Sequence, residues 1–168
     1  MTTIPELETE RLRLAAWDNR HFGPLADFMA NDAGALFVGG PQKSWEAWRR
    51  MAAFIGHWQL RGFGPWALEE KVSGRWLGWV AIWHPPEFPE IELGYALVSD
   101  AQGNGYATEA ARRARAFAFE TLGLTTLVSF IRPENTASQK VAGRLGARRE
   151  GHVLLHEKLA DVWRYPSP

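Results

Sequence analysis

Residues 91–98 read as a β-strand that runs, through a loop holding Gly103 and Gly105, directly into a helix starting at Tyr106. The helix is legible because Ala107, Ala110, Ala111, Ala114, Phe117, Ala118 and Leu122 recur at three- and four-residue spacing. A strand feeding a helix through a short turn commits the chain to a layered fold of sheet and helices. The same junction gathers the unpaired amides of a helix N-terminus and the positive end of its dipole into one small space. Glycines there tolerate positive φ and let an anion approach the backbone without a Cβ in the way. Residues 102–107, Gln-Gly-Asn-Gly-Tyr-Ala, are therefore a candidate phosphate-binding loop.

The rest of the chain supplies elements on both sides of this junction. Residues 11–17 alternate as a first strand, and Asp18 offers a cap for a short helix carrying Phe22, Leu25, Ala26, Phe28 and Met29. Ser44, read as a capping residue, precedes a stripe of Trp45, Trp48, Met51, Ala52, Ile55 and Trp58 that should be core and should end near Gly62. Two antiparallel strands, residues 66–70 and 76–83, flank the turn signal Ser73-Gly74. Gly94 inside the 91–98 strand marks an expected bulge or close backbone approach. Residues 125–131 form another strand, Asn135 caps a helix ending at Gly146, and residues 148–165 read as two more strands. The order predicts one α/β (α+β) domain over residues 1–168, with about seven strands in a largely antiparallel sheet and about four helices.

Composition narrows the chemistry. Nineteen basic residues balance nineteen acidic ones, which gives no reason to expect nucleic acid as a partner or binding to an anionic membrane. Without cysteine there is no disulfide, thiolate nucleophile or cysteine-bound zinc. The histidines show no ligand spacing, so no metal is expected. The N-terminus lacks the pattern of a signal peptide and no apolar run approaches the roughly 20 residues of a membrane helix, so a cytoplasmic location is expected. The loop is neither a Walker A sequence nor a G-x-G-x-x-G fingerprint, since Thr108 stands in the third glycine's place.

Gln102-x-x-Gly105-x-Ala107 resembles the acetyl-coenzyme A pyrophosphate loop of the GNAT superfamily of N-acetyltransferases. Further blocks, residues 9–12, 92–95, 105–110, 133–138 and 145–151, resemble in order and spacing the RimJ/RimL-type branch, which includes ribosomal-protein N-terminal acetyltransferases. The resemblance implies transfer of the acetyl group of acetyl-CoA to a primary amine, a protein N-terminus or a small molecule, by direct attack in a ternary complex. It implies a sheet splayed near its middle to admit acetyl-CoA, and it allows a homodimer. Gln102, Gly103, Asn104, Gly105, Tyr106, Ala107 and Thr108 would hold the pyrophosphate, and backbone near Leu97 and Val98 the pantetheine arm. The matching asparagine, Asn135, would contact that arm. The matching serine, Ser138, would lie near the thioester sulfur as a donor to the leaving thiolate. Two departures stand out: Gln102 and Asn104 flank Gly103 where many branch members have an aromatic and a basic residue, and Ala147 replaces the usual phenylalanine after Leu145-Gly146.

Amine acetylation needs a deprotonated nucleophile. Lysine side chains titrate near 10.4 and α-amines near 7.7–8.0, so a base matters more for lysine. Glu92, on the strand that feeds the loop, is the preferred base; its alternative role is to solvate the strand's outer face. Glu90, Glu69 and His84 are weaker candidates. Asn135 can serve as a helix cap whatever else it does. Arg112, Arg113, Arg115, Lys140 and Arg144 read mostly as solvated face with a minority on phosphate, and Trp66, Trp79 and Trp83 as walls of an acceptor pocket. A non-catalytic acyl-CoA binding module, with the same loop and no competent base, is the alternative function.

Overall fold

A computed structural model describes residues 3–167 and shows an eight-stranded sheet with helices on both faces. The elements are β1 (Leu7–Glu8), β2 (Leu12–Ala15), α1 (Phe22–Asn31), α2 (Ser44–Arg61), β3 (Pro65–Glu70), β4 (Trp76–Trp83), β5 (Glu92–Leu97), α3 (Tyr106–Ala116), β6 (Val128–Ile131), α4 (Thr136–Arg144), β7 (Arg148–Leu155) and β8 (Lys158–Arg164). Spatial order is β1-β2-β3-β4-β5-β6-β8-β7, and every neighbouring pair is antiparallel except β5 and β6. That parallel pair is joined by the α3 crossover, as a parallel connection requires. The expected order of elements holds, with the two-residue β1 added at the sheet edge. None of the described helices is long and apolar enough to cross a membrane.

Two cores lie on opposite faces. Trp58, Trp66, Leu68, Val80, Ile82 and Leu93 pack under α3 and α4, whereas Trp17, Phe28, Met51, Phe54, Trp76 and Trp79 pack under α1 and α2. Strict alternation would separate Trp76 from Trp79. The register shift between Leu68 and Glu69 sets Leu77 as an extra residue in β4, which brings the two tryptophans to one face. Gly78 makes this possible: its φ is +142°, and a Cβ there would stand 2.0 Å from the carbonyl oxygen of Ala96. The close backbone approach expected at Gly94 therefore belongs to Gly78, and β5 pairs with β4 in unbroken register through Gly94.

Local signals explain the remaining ends. Asn135 caps α4, its Oδ1 accepting the amide of Ser138 at 3.2 Å, and Gly62, at φ +77°, ends α2. Ser44 is the first residue of α2 rather than its cap; the amide of Lys43 is satisfied instead by Glu46 Oε2 at 2.8 Å. Of the α2 tryptophans only Trp58 is core. Trp45 and Trp48 are 53% and 54% exposed, because the face that α2 lays on the sheet is that of Ala47, Met51, Phe54 and Trp58, and the two tryptophans lie off it. Helix α3 passes into a single π-helical turn, Phe117–Thr121.

Candidate functional site

The site is built around a defect in strand pairing. β5 and β6 pair as strands only at Glu92 and Val128, and beyond this point they separate. Side chains replace the missing ladder: Ser129 Oγ donates to the Leu93 carbonyl at 2.5 Å and Phe130 N donates to Glu92 Oε1 at 3.2 Å. Because Val98 N donates to Leu77 O, the antiparallel parity turns the amides of residues 94, 96 and 98 toward β4 and those of 93, 95 and 97 toward the gap. Leu97 thus faces the gap, with its carbonyl already accepting from Gln102 Nε2 at 3.1 Å. The amide of Val98 is spent on the Leu77 carbonyl of β4 at 2.9 Å.

Two cavities meet at the gap. One, of about 600 Å³, is walled by Phe54, Trp79, Trp83, Phe88 and Phe130 and has Glu92 and Gly94 in its floor. The other, of about 420 Å³, runs along the glycine loop past Gln102, Gly103, Gly105, Tyr106, Ala107 and Thr108, and is flanked by Lys140 and Arg144. Tyr95, Asn135 and Ser138 line both, as do Phe37 and Val38 from the segment before α2. Tyr95 is locked there by its hydroxyl, which donates to the Ser138 carbonyl at 2.9 Å. Asp32 holds the Phe37 segment in place by accepting the amides of Gly34 at 2.6 Å and Ser99 at 3.0 Å.

The loop cavity has the donors an anion needs. Gly103 and Gly105 have φ of +78° and +80°, and α3 starts at Gly105 with no side-chain cap on its first amides. Thr108 is buried among them, and its Oγ1 has no hydrogen-bond partner. Asn104 lies inside the turn, donating from Nδ2 to the carbonyls of Ala101 and Gln102 at 3.2 Å each. Unclaimed amides, an orphaned hydroxyl and two nearby cations are what the pyrophosphate of acetyl-CoA would require. Arg115 is not available to it, because its guanidinium caps α4 on the carbonyl of Leu145 at 2.5 Å. Arg112 and Arg113 lie around the outer side of the loop with Arg144.

A brace fixes the loop from the other end of the sequence. Arg11 donates to the Asn104 carbonyl at 2.9 Å, stacks 4.4 Å over the Tyr106 ring and pairs with Glu109 at 2.7 Å. Thr9 Oγ1 and Arg11 N both donate to Glu109 Oε1, at 2.6 and 2.9 Å. These contacts give a physical role to residues 9–12, which the sequence marked only as a recognisable block.

Among the carboxylates, Glu92 is set apart. Burial raises its pKa from 4.5 to about 7, against which the Phe130 amide works in the opposite direction. The other candidate bases do not line the cavity. Glu90 is clamped by Arg164 at 2.8 and 2.9 Å, and Glu69 accepts from His21 and Arg20 at 3.0 Å each on another part of the sheet. His84 contributes its backbone amide, at 3.1 Å, to His57 Nε2. His57 in turn stacks on Trp83 at 4.3 Å, which fixes that wall. Trp79 and Trp83 line the cavity as expected, but Trp66 is fully buried on the opposite face of the sheet. Ala147 lines neither cavity; it is core beside Leu145, so the lost phenylalanine does not enlarge this site. Tyr95 and Arg50 were not singled out in the sequence: Tyr95 ends the 92–95 block of the family resemblance without a role of its own, no local motif marks Arg50, and only the tertiary fold brings them to the cavity. No group of three or more His, Cys, Asp or Glu side chains suited to a metal ion occurs among the described residues.

Comparison with known proteins agrees with this fold. The family model described as acetyltransferase (GNAT) domain matches residues 11–148. The chain is similar to the acetyltransferase from Agrobacterium tumefaciens str. C58, with 37% identity and a TM-score of 0.89 over 98% of this chain and 96% of that one. It is 29% identical to YkkB of Bacillus subtilis (strain 168), covering 99% of this chain and 94% of that protein. It shares its fold with the ribosomal-protein-S5-alanine acetyltransferase from Vibrio fischeri at 17% identity and a TM-score of 0.78, over 98% and 97% of the two chains.

Proposed function

The chain belongs to the GNAT acetyltransferase family and is an acetyl-CoA-dependent N-acetyltransferase, and from that premise we propose that it acetylates a primary amine by direct attack within a ternary complex. The observation that carries this reading is the meeting of two cavities at Tyr95, Asn135 and Ser138, with the loop amides in one and the Glu92 carboxylate in the other. In this reading acetyl-CoA lies along the loop and through the gap beside β5, and it supplies an acetyl group activated as a thioester. The acceptor, a peptide N-terminus or a small-molecule amine, enters from the aromatic cavity.

Glu92 takes one proton from the ammonium, directly or through a water, and so frees the nitrogen lone pair. With a pKa of about 7 it is partly ionised at neutral pH and closer in basicity to the amine than an ordinary carboxylate. As the C–N bond forms, the C–S bond breaks, the nitrogen gives up its second proton to water, and Ser138 Oγ hydrogen-bonds or protonates the departing thiolate before recovering a proton from solvent. Asn135 holds the start of α4, and with it Ser138, at the junction. The backbone of Tyr95 and Leu97 faces the gap, where the pantetheine amides would pair with it as an added strand does. The chain has no cysteine to carry an acyl group, which favours direct attack over a covalent relay. The reading assigns the reaction to amines of the cytoplasm.

The experiment is thiol release from acetyl-CoA with a panel of amines, followed by initial velocities at several concentrations of both substrates. Intersecting double-reciprocal lines are expected. Parallel lines would contradict direct attack, and acetyl-CoA binding without turnover of any amine would favour a binding module.

A further inference from the structure

The aromatic cavity carries a charge imbalance that bears on its acceptor. Arg50, Arg132, His156 and Lys158 line it, and Glu92 is its one carboxylate among the described residues. His156 is already matched by Glu87 outside the cavity, at 2.8 Å. Arg50, Arg132 and Lys158 have no carboxylate within ion-pair distance among the described residues, so the charge they bring to the cavity is not matched inside it.

Arg50 is the most informative of the three. It is half-buried on α2 between the strand face and the Val38 segment, 5.9 Å from the ring centroids of both Phe54 and Trp79. Its Nη2 donates to the Val38 carbonyl at 2.8 Å and its Nε to Gln42 Oε1 at 3.3 Å, two neutral partners that orient the guanidinium without neutralising it. Those bonds leave donors of a fork whose geometry suits carboxylate or phosphate. Burial pushes its pKa down, the mark of a cation held away from water without a counter-ion. A guanidinium in this position costs free energy until an anion meets it.

Resting on the acetyltransfer reading above, we infer that the acceptor is an amine bearing an anionic group, a carboxylate or a phosphate, which Arg50 receives while Glu92 receives the ammonium. The register supports two separate ends: Trp79, beneath Arg50, pairs with Ala96, while Trp83 pairs with Glu92 four residues along the strand. Arg132 and Lys158 attract the same charge from the gap side and from the β7–β8 turn. Amines that carry only further positive charge, such as polyamines, are repelled by the same residues.

The test is thiol release from acetyl-CoA, by the full chain, with matched acceptors: short peptides and amino acids against their C-terminal amides, peptides with an acidic against a neutral second residue, an aminoalkyl phosphate against the amino alcohol, and spermidine. The anionic member of at least one pair should have a kcat/KM higher by about tenfold or more, with spermidine the poorest acceptor; the favoured pair identifies the source of the anion. Arg50→Gln should collapse that ratio to within about threefold, a readout that does not depend on how much of the variant is folded. Arg132→Gln, at the cavity rim, should lower it by a smaller factor. Equal turnover of anionic and neutral acceptors, or a preference for spermidine, overturns the inference and leaves acetyl transfer standing. Release of thiol with none of the acceptors, despite bound acetyl-CoA, overturns the acetyltransfer reading and this inference with it.

Discussion

Oε1 of Glu92 accepts the amide of Phe130 at 3.2 Å, across the place where β5 and β6 cease to pair as strands. One side chain thus replaces a rung of the sheet and remains in the floor of the aromatic cavity. Its position has an energetic cost, which sets the first expectation.

The Glu92 carboxyl titrates near 7 in the folded chain and near 4.5 in the unfolded chain. The folded state therefore holds the proton more tightly, and stability should fall as pH rises from about 4.5 to about 7, then stay at the lower level. A shift of this size corresponds to at most about 3 kcal/mol. Glu92→Gln removes the ionisation and keeps an oxygen for the Phe130 amide. Its melting temperature should exceed that of the wild type by up to about 10 °C at pH 8, with little difference at pH 4.5. Calorimetry at the two pH values checks this; a variant less stable at both would show that the carboxylate is structural.

Gly105→Val should abolish acetyl-CoA binding. The backbone there has φ +80°, which a β-branched residue resists, so the turn that presents the first amides of α3 should be lost. Wild type should gain about 2.7 kcal/mol of stability at a hundredfold excess of acetyl-CoA over its Kd, and the variant none. Equal titration curves for the two proteins would remove the loop from the binding site.

Ser138→Ala separates chemistry from helix capping. The α4 cap uses the Ser138 amide, which alanine keeps, so the melting temperature should change little. If the hydroxyl serves the leaving thiolate, kcat should drop by about 10–1000-fold, with the KM for acetyl-CoA nearly unchanged. Unaltered turnover would confine Ser138 to the start of the helix.

The strand–loop–helix junction, the order of the elements and the Asn135 cap were legible because each depends on local periodicity or on one residue's reach. Trp45 and Trp48 were misread because the apolar residues of α2 form two faces, and the one that packs on the sheet is that of Ala47, Met51, Phe54 and Trp58. The shared face of Trp76 and Trp79 was hidden because it follows from a bulge at Gly78, whose need for glycine comes from the Ala96 carbonyl on another strand. Glu92 could be named from its place before the loop, but its raised pKa depends on walls contributed by distant segments. Arg50 carried no local signal and Tyr95 only its place in the 92–95 block, since their roles arise from partners in the Val38 segment and at Ser138. The Arg11–Glu109 brace had a weak one: both residues lie within blocks that mark the family resemblance, at opposite ends of a contact spanning most of the chain.

The most direct test of Glu92 as the base is the pH dependence of kcat/KM for wild type and Glu92→Gln, with one acceptor of known amine pKa. Wild-type kcat/KM should rise through about pH 7 as the carboxylate ionises. The variant should lose most activity at neutral pH and approach the wild type only at alkaline pH, where the free amine is abundant. A variant with the wild-type profile and magnitude would contradict the account, because the proton would then leave the amine without Glu92.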